Sequence, residues 1–311
     1  MEKTLTDTEV SVLADGSRHV ADWVRMRALA WAADGRGGPP VCGVDALGSL
    51  TVDPPGARCT DLVATSGQEV TGWVRVVLPD EAQAPAVVES LVVHPRWRSG
   101  GVGRRLAERA RDLAADAGRR DVRIAVPEPL LPVAKAWGAE DREGSRQVFQ
   151  RLDLADGPSS EPVVPKDVEV HRWNAVAPDH LAEGVARLEG HGDLDVLRAL
   201  ERMRRLRGRV ALHTALVAPG GGPMLGYTSI SLPASSPGDP EQGMTVVDPE
   251  ARGHGYGELL KRLNQAALAA DRPWAQRMWT ANDEENHPMA TLNARLGFRP
   301  WQHRRVLGWS L

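Results

Sequence analysis

Cysteine is nearly missing from this chain: Cys42 and Cys59 are the only two in 311 residues, and both fall in the first half. That excludes a four-cysteine zinc site and leaves no framework of disulfides. Phenylalanine and tyrosine are equally scarce, at two apiece, so the aromatic content is mostly the ten tryptophans. Those read as core and packing residues rather than a ligand cage. No uncharged apolar run approaches the ~18–20 residues needed to cross a bilayer. The opening Met1-Glu2-Lys3-Thr4-Leu5-Thr6-Asp7 lacks the basic-then-apolar layout of a signal peptide. Charge of one sign is not in excess either: 38 Lys+Arg stand against 41 Asp+Glu. Bulk electrostatics gives neither nucleic acid nor an anionic membrane a reason to bind. The expectation is a cytoplasmic protein without nucleic-acid or membrane partners, its oligomeric state open.

What is present is one motif, twice. Leu91-Val92-Val93-His94-Pro95-Arg96-Trp97-Arg98-Ser99-Gly100-Gly101-Val102-Gly103 returns 154 positions on as Thr245-Val246-Val247-Asp248-Pro249-Glu250-Ala251-Arg252-Gly253-His254-Gly255-Tyr256-Gly257. Each copy is an apolar strand, a proline turn, Arg-x-x-Gly-x-Gly and then an amphipathic helix. This layout offers bare backbone N–H groups at a helix N-terminus to a phosphate. The glycines remove side chains where a pyrophosphate must approach, and Arg98 and Arg252 can add charge-assisted hydrogen bonds. Repetition at a domain-length interval indicates an internal duplication.

The surroundings repeat as well. A helix over 19–33, a long Gly- and Pro-rich loop over 34–60 and strands at 61–65, 69–78 and 86–93 lead to the first motif. Its helix stops at Gly118, and a strand at 122–126, a short helix at 133–137 and a closing strand at 147–154 complete a domain over 1–154. Residues 155–167, with Pro158, Pro162 and Pro165 and no periodicity, read as a linker. The second domain, 168–311, repeats the order. It has a strand at 168–173, helices at 179–189 and 194–206, and strands at 210–217 and 224–232. The second motif follows, then a strand at 276–280, a helix at 286–296 and a closing strand near 306–311. The expected class is α/β (α+β), each half a mixed central sheet flanked by helices.

The pattern Val-x-Pro-x-x-Arg-x-x-Gly-x-Gly resembles the acetyl-CoA signature of GNAT-type N-acetyltransferases. With two copies, the chain is similar to a tandem GNAT protein, an arrangement also found in mycothiol synthase. The resemblance implies acetyl-CoA, or another acyl-CoA, as co-substrate and no metal. It implies transfer of the acyl group to an amine of a small molecule or peptide by direct attack in a ternary complex. It assigns Val93, Val246 and Val247 to the thioester arm through their backbone groups. It assigns Arg98, Gly101, Val102 and Gly103, and in the second half Arg252, Gly253, His254, Gly255, Tyr256 and Gly257, to the diphosphate.

The late stretch from Asn286 to Phe298 is similar to a second family element that ends in Gly-Phe, here Gly297-Phe298. Asn286 falls where the family has a cofactor-contacting asparagine, and it equally suits a helix N-cap with Pro288 in the first turn. The first half offers only Ala136-Trp137-Gly138-Ala139 there. The second half is therefore expected to be catalytic and the first not. By the resemblance the base is Glu241, whose first-half counterpart is Val87; Glu89 competes for the role. Where many members carry a leaving-group tyrosine stands Asn293, which can hydrogen-bond sulfur but supplies no titrating proton. Tyr227 and Tyr256 lie elsewhere, so the acid stays open, with His254 and His287 flanking the site. Arg198, Arg202, Arg204, Arg205, Arg207 and Arg209 read as a solvated face or as recognition of an anionic acceptor group. Two rivals stand: a non-catalytic acyl-CoA-binding protein, and an aminoacyl-tRNA-dependent ligase of similar fold, against which the balanced charge speaks.

Overall fold

Runs rich in Val, Thr and Trp form the strands, and amphipathic runs form the helices. The structure, a computed structural model, describes residues 8–14, 16–35, 40–142, 146–156, 162–234 and 239–311. The first elements are β1 (Thr8–Val12), α1 (Val20–Ala33), α2 (Gly43–Thr51), β2 (Ala57–Ser66), β3 (Glu69–Pro79) and β4 (Ala86–Val93). Next come α3 (Val102–Asp116), β5 (Asp121–Pro127), α4 (Leu131–Ala136), β6 (Glu140–Asp141) and β7 (Gln147–Asp153). The remainder are β8 (Glu169–Asn174), α5 (Asp179–Leu188), α6 (Leu194–Leu206), β9 (Arg209–Val217) and β10 (Met224–Pro233), followed by β11 (Glu241–Val247), α7 (Tyr256–Asp271), β12 (Arg277–Asp283), α8 (His287–Arg295) and β13 (Arg299–Ser310).

The chain divides into two units. Unit 1 is Met1–Val148 with Asp283–Glu285 and Gln302–Leu311; unit 2 is Phe149–Asn282 with Asn286–Trp301. In unit 1 the strand order is β1-β2-β3-β4-β5-β13, with β4 and β5 parallel. One core, which includes Leu62, Val74, Leu106, Ala110, Leu307 and Trp309, lies with α3; another gathers Trp23, Met26, Val63 and Trp73 beside α1. In unit 2 the order is β7-β12-β11-β10-β9-β8, with β11 and β12 parallel. There α5 and α6 pack with Ala215 and Tyr227, while Leu260 and Leu263 of α7 pack with Leu216. Both motif helices approach their sheet over a glycine. A Cβ at Gly72 would lie 2.8 Å from Leu106 Cδ1, and one at Gly226 would lie 2.9 Å from Leu260 Cδ1. That close seat brings each helix N-terminus to the end of its motif strand.

Four elements differ from expectation. Helix α2 interrupts the stretch read as loop; its glycines hide it, but burial of Ala46 and Ser49 outweighs low propensity. Strand β1, which pairs with β2 from Thr8↔Ser66 to Val12↔Leu62, also escaped the reading. The closing strands belong to units other than those expected. Residues Gln302–Leu311 fall in unit 1, where β13 runs antiparallel to β5 from Arg304↔Pro127 to Ser310↔Asp121. Residues from Phe149 on fall in unit 2, where Leu152 packs with Leu212 and Ile230. The limits 1–154 and 168–311 describe chain order, not these units. Of the linker 155–167, residues 157–161 lie outside the described residues, as do Met1–Asp7.

Candidate active site

Each motif strand parts from its parallel neighbour. In unit 1 the pairing of β4 with β5 spans Ala86↔Val122 to Val88↔Ile124 and then stops. Beyond it, β4 pairs on its other side with β3 as far as Gly72↔Val93. In unit 2, β11 meets β12 only at Glu241↔Trp279, while Thr245–Val247 stay paired with β10. A bulge marks each point of parting: Glu89 is left out between Arg75↔Ser90 and Val76↔Val88. Gly243 and Met244 together face Ser229 in the second copy. Extra bulge residues bend a strand and re-aim its groups, and here they leave the backbone groups of Val93 and Val247 unladdered, while those of Val246 face Tyr227 on β10.

The turn that follows is built twice from different side chains. His94 Nδ1 accepts from Arg96 N at 3.1 Å, and an Asp248 oxygen accepts from Glu250 N at 3.0 Å, each starting a 3₁₀ turn. Then Gly101 (φ 82°) and Gly255 (φ 78°) take left-handed backbone as the N-caps of α3 and α7, with no side chain capping the helix. Gly253 is left-handed too (φ 86°), whereas its first-half counterpart is Ser99 at φ 63°. A Cβ on Gly253 or Gly255 would meet nothing within 4 Å. Open space, uncapped first-turn N–H groups and the positive helix end together fit an anion such as a diphosphate.

The two arginines differ. Arg252 is exposed and makes no ion pair among the described residues. Arg98 donates to both carboxylate oxygens of Asp34, at 2.7 and 3.0 Å, and its Nε donates to the Val93 carbonyl at 3.3 Å. Over Gly103 lies the Trp137 indole, 2.7 Å from the place of a Cβ, where Gly257 has Leu292 at 3.4 Å.

Several assigned side chains turn away from this cradle. Tyr256 and Val102 are core residues, so only their backbone faces the loop. His254 stacks on Tyr256 at 5.5 Å and folds its Nδ1 back toward the Arg252 carbonyl at 3.1 Å. Asn286 is the N-cap of α8, its oxygen accepting from Met289 N at 3.2 Å. Glu241 is half-exposed and held by Arg209, whose Nη2 donates to its Oε1 at 2.9 Å. Glu89, on its bulge, lies 3.8 Å from Arg75. Arg198 is committed to Asp179, Glu201 and the Ala177 carbonyl, not to an acceptor. Tyr227 gives no ready proton: it is buried with its hydroxyl 2.6 Å from His213 Nδ1. Burial pushes the tyrosine up and His213 down to about 3.

Asn293 is a correction. It is fully buried, and its amide is consumed by protein: Oδ1 accepts from Lys261 Nζ at 2.5 Å, and Nδ2 donates to Gln150 at 2.7 Å and Asn282 at 3.2 Å. Nothing is left over for a sulfur. Lys261 itself went unnoticed, although Lys261, Asn264 and Gln265 sit at helical spacing on the buried side of α7. Burial lowers its pKa from 10.5 to about 8. The folded protein thus releases this proton near pH 8 and the unfolded chain near ~10.4. Between those values the unfolded state binds more protons, so this group makes stability rise with pH, by up to about 3 kcal/mol. Urea unfolding from pH 7.5 to 10.5 should show the rise in the parent and lack it in Lys261→Met; equal slopes would discard the assignment.

A strand with one open backbone edge, running into an anion cradle at a helix N-terminus, occurs in both units. The chain belongs to the GNAT family of acetyltransferases. Residues 23–137 match the family model described as Acetyltransferase (GNAT) family. Over 97% of its length the chain is similar to a tandem GNAT protein from the clavulanic acid biosynthesis pathway, at 35% identity, TM-score 0.90 and 98% of that chain. It is 29% identical to a mycothiol acetyltransferase of Salinispora tropica, across 89% of either protein. A mycothiol acetyltransferase of Mycobacterium avium is 30% identical over 72% of this chain and 69% of its own. Family membership brings acetyl-CoA as co-substrate. Among the described residues no cluster of His, Cys, Asp or Glu has the make-up of a metal site, and no helix is long and apolar enough to cross a membrane.

Proposed function

We propose that unit 2 transfers the acetyl group of acetyl-CoA to the amine of a small molecule by direct attack in a ternary complex. The observation that carries this reading is the difference between the cradles: the Arg252 loop is open, while Arg98 is engaged by Asp34 and Val93. Acetyl-CoA supplies an activated thioester when bound. Arg252 and the N–H groups from Gly255 onward hold the diphosphate, and the backbone groups of Val247 on the unladdered edge orient the arm. The Val247 N–H meets the charge that develops on the carbonyl oxygen. Glu241 takes the ammonium proton of the acceptor, its carboxylate kept in one rotamer by Arg209. The names of the relatives support an acceptor of the mycothiol-precursor kind, a small amine. Domain limits of 1–154, 155–167 and 168–311 in chain order, with the first half non-catalytic, complete the reading.

Two kinetic outcomes follow. Glu241→Gln lowers the rate roughly 10²-fold with a high-pKa amine, and the loss shrinks as pH rises and the amine deprotonates unaided. A loss that is constant with pH would remove Glu241 from the mechanism in favour of Glu89 or of no dedicated base. Arg98→Ala combined with Gly101→Val leaves turnover within about tenfold of the parent, about 1.4 kcal/mol in barrier. Elimination of activity by that pair, with activity retained in Gly255→Val, would reverse the roles of the halves.

A further inference from the structure

We propose that unit 1 holds its own pyrophosphate site shut with a built-in anion: the Asp34 carboxylate occupies the arginine fork that a diphosphate would use, and acyl-CoA enters only by displacing it. This rests on the reading that both Arg-x-x-Gly-x-Gly loops take a diphosphate. The geometry is a matched fork, Nη1 to Oδ1 at 2.7 Å and Nη2 to Oδ2 at 3.0 Å. A guanidinium grips carboxylate and phosphate through the same pair of N–H groups, so the two anions compete for one face.

Asp34 is not there to serve its own helix. It is the C-cap of α1, whose last turn has no basic residue, so the carboxylate stands at the negative end of the helix dipole. Arg98 offsets that unfavourable charge. The same arginine closes the rest of the site by donating Nε to the Val93 carbonyl, one of the edge groups that the strand parting leaves open.

Unit 2 supplies an internal control. Helix α5 also ends in an acid at its C-cap, Glu189, but that side chain is only 2% exposed and turns to His191 at 3.0 Å. Asp248, the acid beside Arg252 in the turn, is taken by Arg187. The duplicated unit thus has an acid at the equivalent helix end and does not pair it with its cradle arginine. The latch consists of exposed charges, so it opens for a competing anion instead of sealing the site permanently.

Calorimetric titration with coenzyme A reads this directly in a Gly255→Val background, where the second cradle is blocked; Arg252→Glu serves as a second background should the glycine variant fold poorly. Asp34→Asn is expected to tighten binding at the first cradle fivefold or more. Inorganic pyrophosphate should compete more strongly by a similar factor. Adding Arg98→Ala should erase the gain, because the latch works through that guanidinium. A gain under fivefold, a gain that survives Arg98→Ala, or no binding in any variant overturns the proposal. Turnover of the Gly255→Val protein scores the assignment of catalysis to unit 2 separately, whatever Asp34→Asn does.

Discussion

Gly255→Val should abolish acetyl-CoA binding at the second cradle and, with it, turnover. Gly255 sits at φ 78° as the uncapped N-cap of α7, and the space beside its Cα is empty. A branched side chain there has two effects. It strains the left-handed backbone by roughly 1–2 kcal/mol. It also fills the volume a phosphate needs in order to reach the first-turn N–H groups, so affinity should fall at least ~100-fold, or about 2.7 kcal/mol. Near-unchanged thermal unfolding would show that the loss is local, and Arg252→Glu, on an exposed side chain, should weaken binding without the backbone strain. Unchanged affinity in a folded Gly255→Val protein that also carries Arg98→Ala would exclude this loop as the site.

The second large effect is structural. A chain stopped after Trp301 should lose the cooperative unfolding of unit 1, although every residue of β1 to β6 is present. Strand β13 supplies seven register partners to β5 and puts Leu307 and Trp309 into the unit 1 core at 0% and 3% exposure. Trp309 also donates its indole N–H to the Trp137 carbonyl at 3.1 Å. Losing one such tryptophan costs about 3–5 kcal/mol, a large share of a domain's stability. Trp309→Ala is the milder version and should lower the melting temperature of unit 1. Hydrogen exchange at Asp121–Pro127 reads both variants; protection equal to the parent's would mean that β13 does not hold unit 1.

Much of this was legible from spacing. Strand-turn-helix order around each motif follows from runs of Val with period two and from glycines where the backbone must turn left-handed, and Gly101, Gly253 and Gly255 do so. Long-range partnerships were not legible. Arg98 and Asp34 are 64 positions apart and Asn293 and Gln150 are 143 apart, so no local period links them. Asn293 kept the family position of a leaving-group residue, but Lys261, 32 positions earlier on α7, takes its side-chain oxygen in the interior. The closing strands were misallotted because side-chain period reports which face is buried, not which sheet is joined.

The path of β13 also has a meaning in time. Strand β5 is synthesised about 180 residues before the strand that pairs with it, and at ~5–20 residues per second that gap lasts roughly ten to thirty-five seconds. Throughout it, the backbone edge of Asp121–Pro127 has no β13 to pair with, and the places of Leu307 and Trp309 stand empty. An unpaired edge beside apolar surface is what chaperones bind and what aggregates. Unit 2 is complete once Trp301 has emerged. The unit that the ribosome begins first is therefore the one it finishes last.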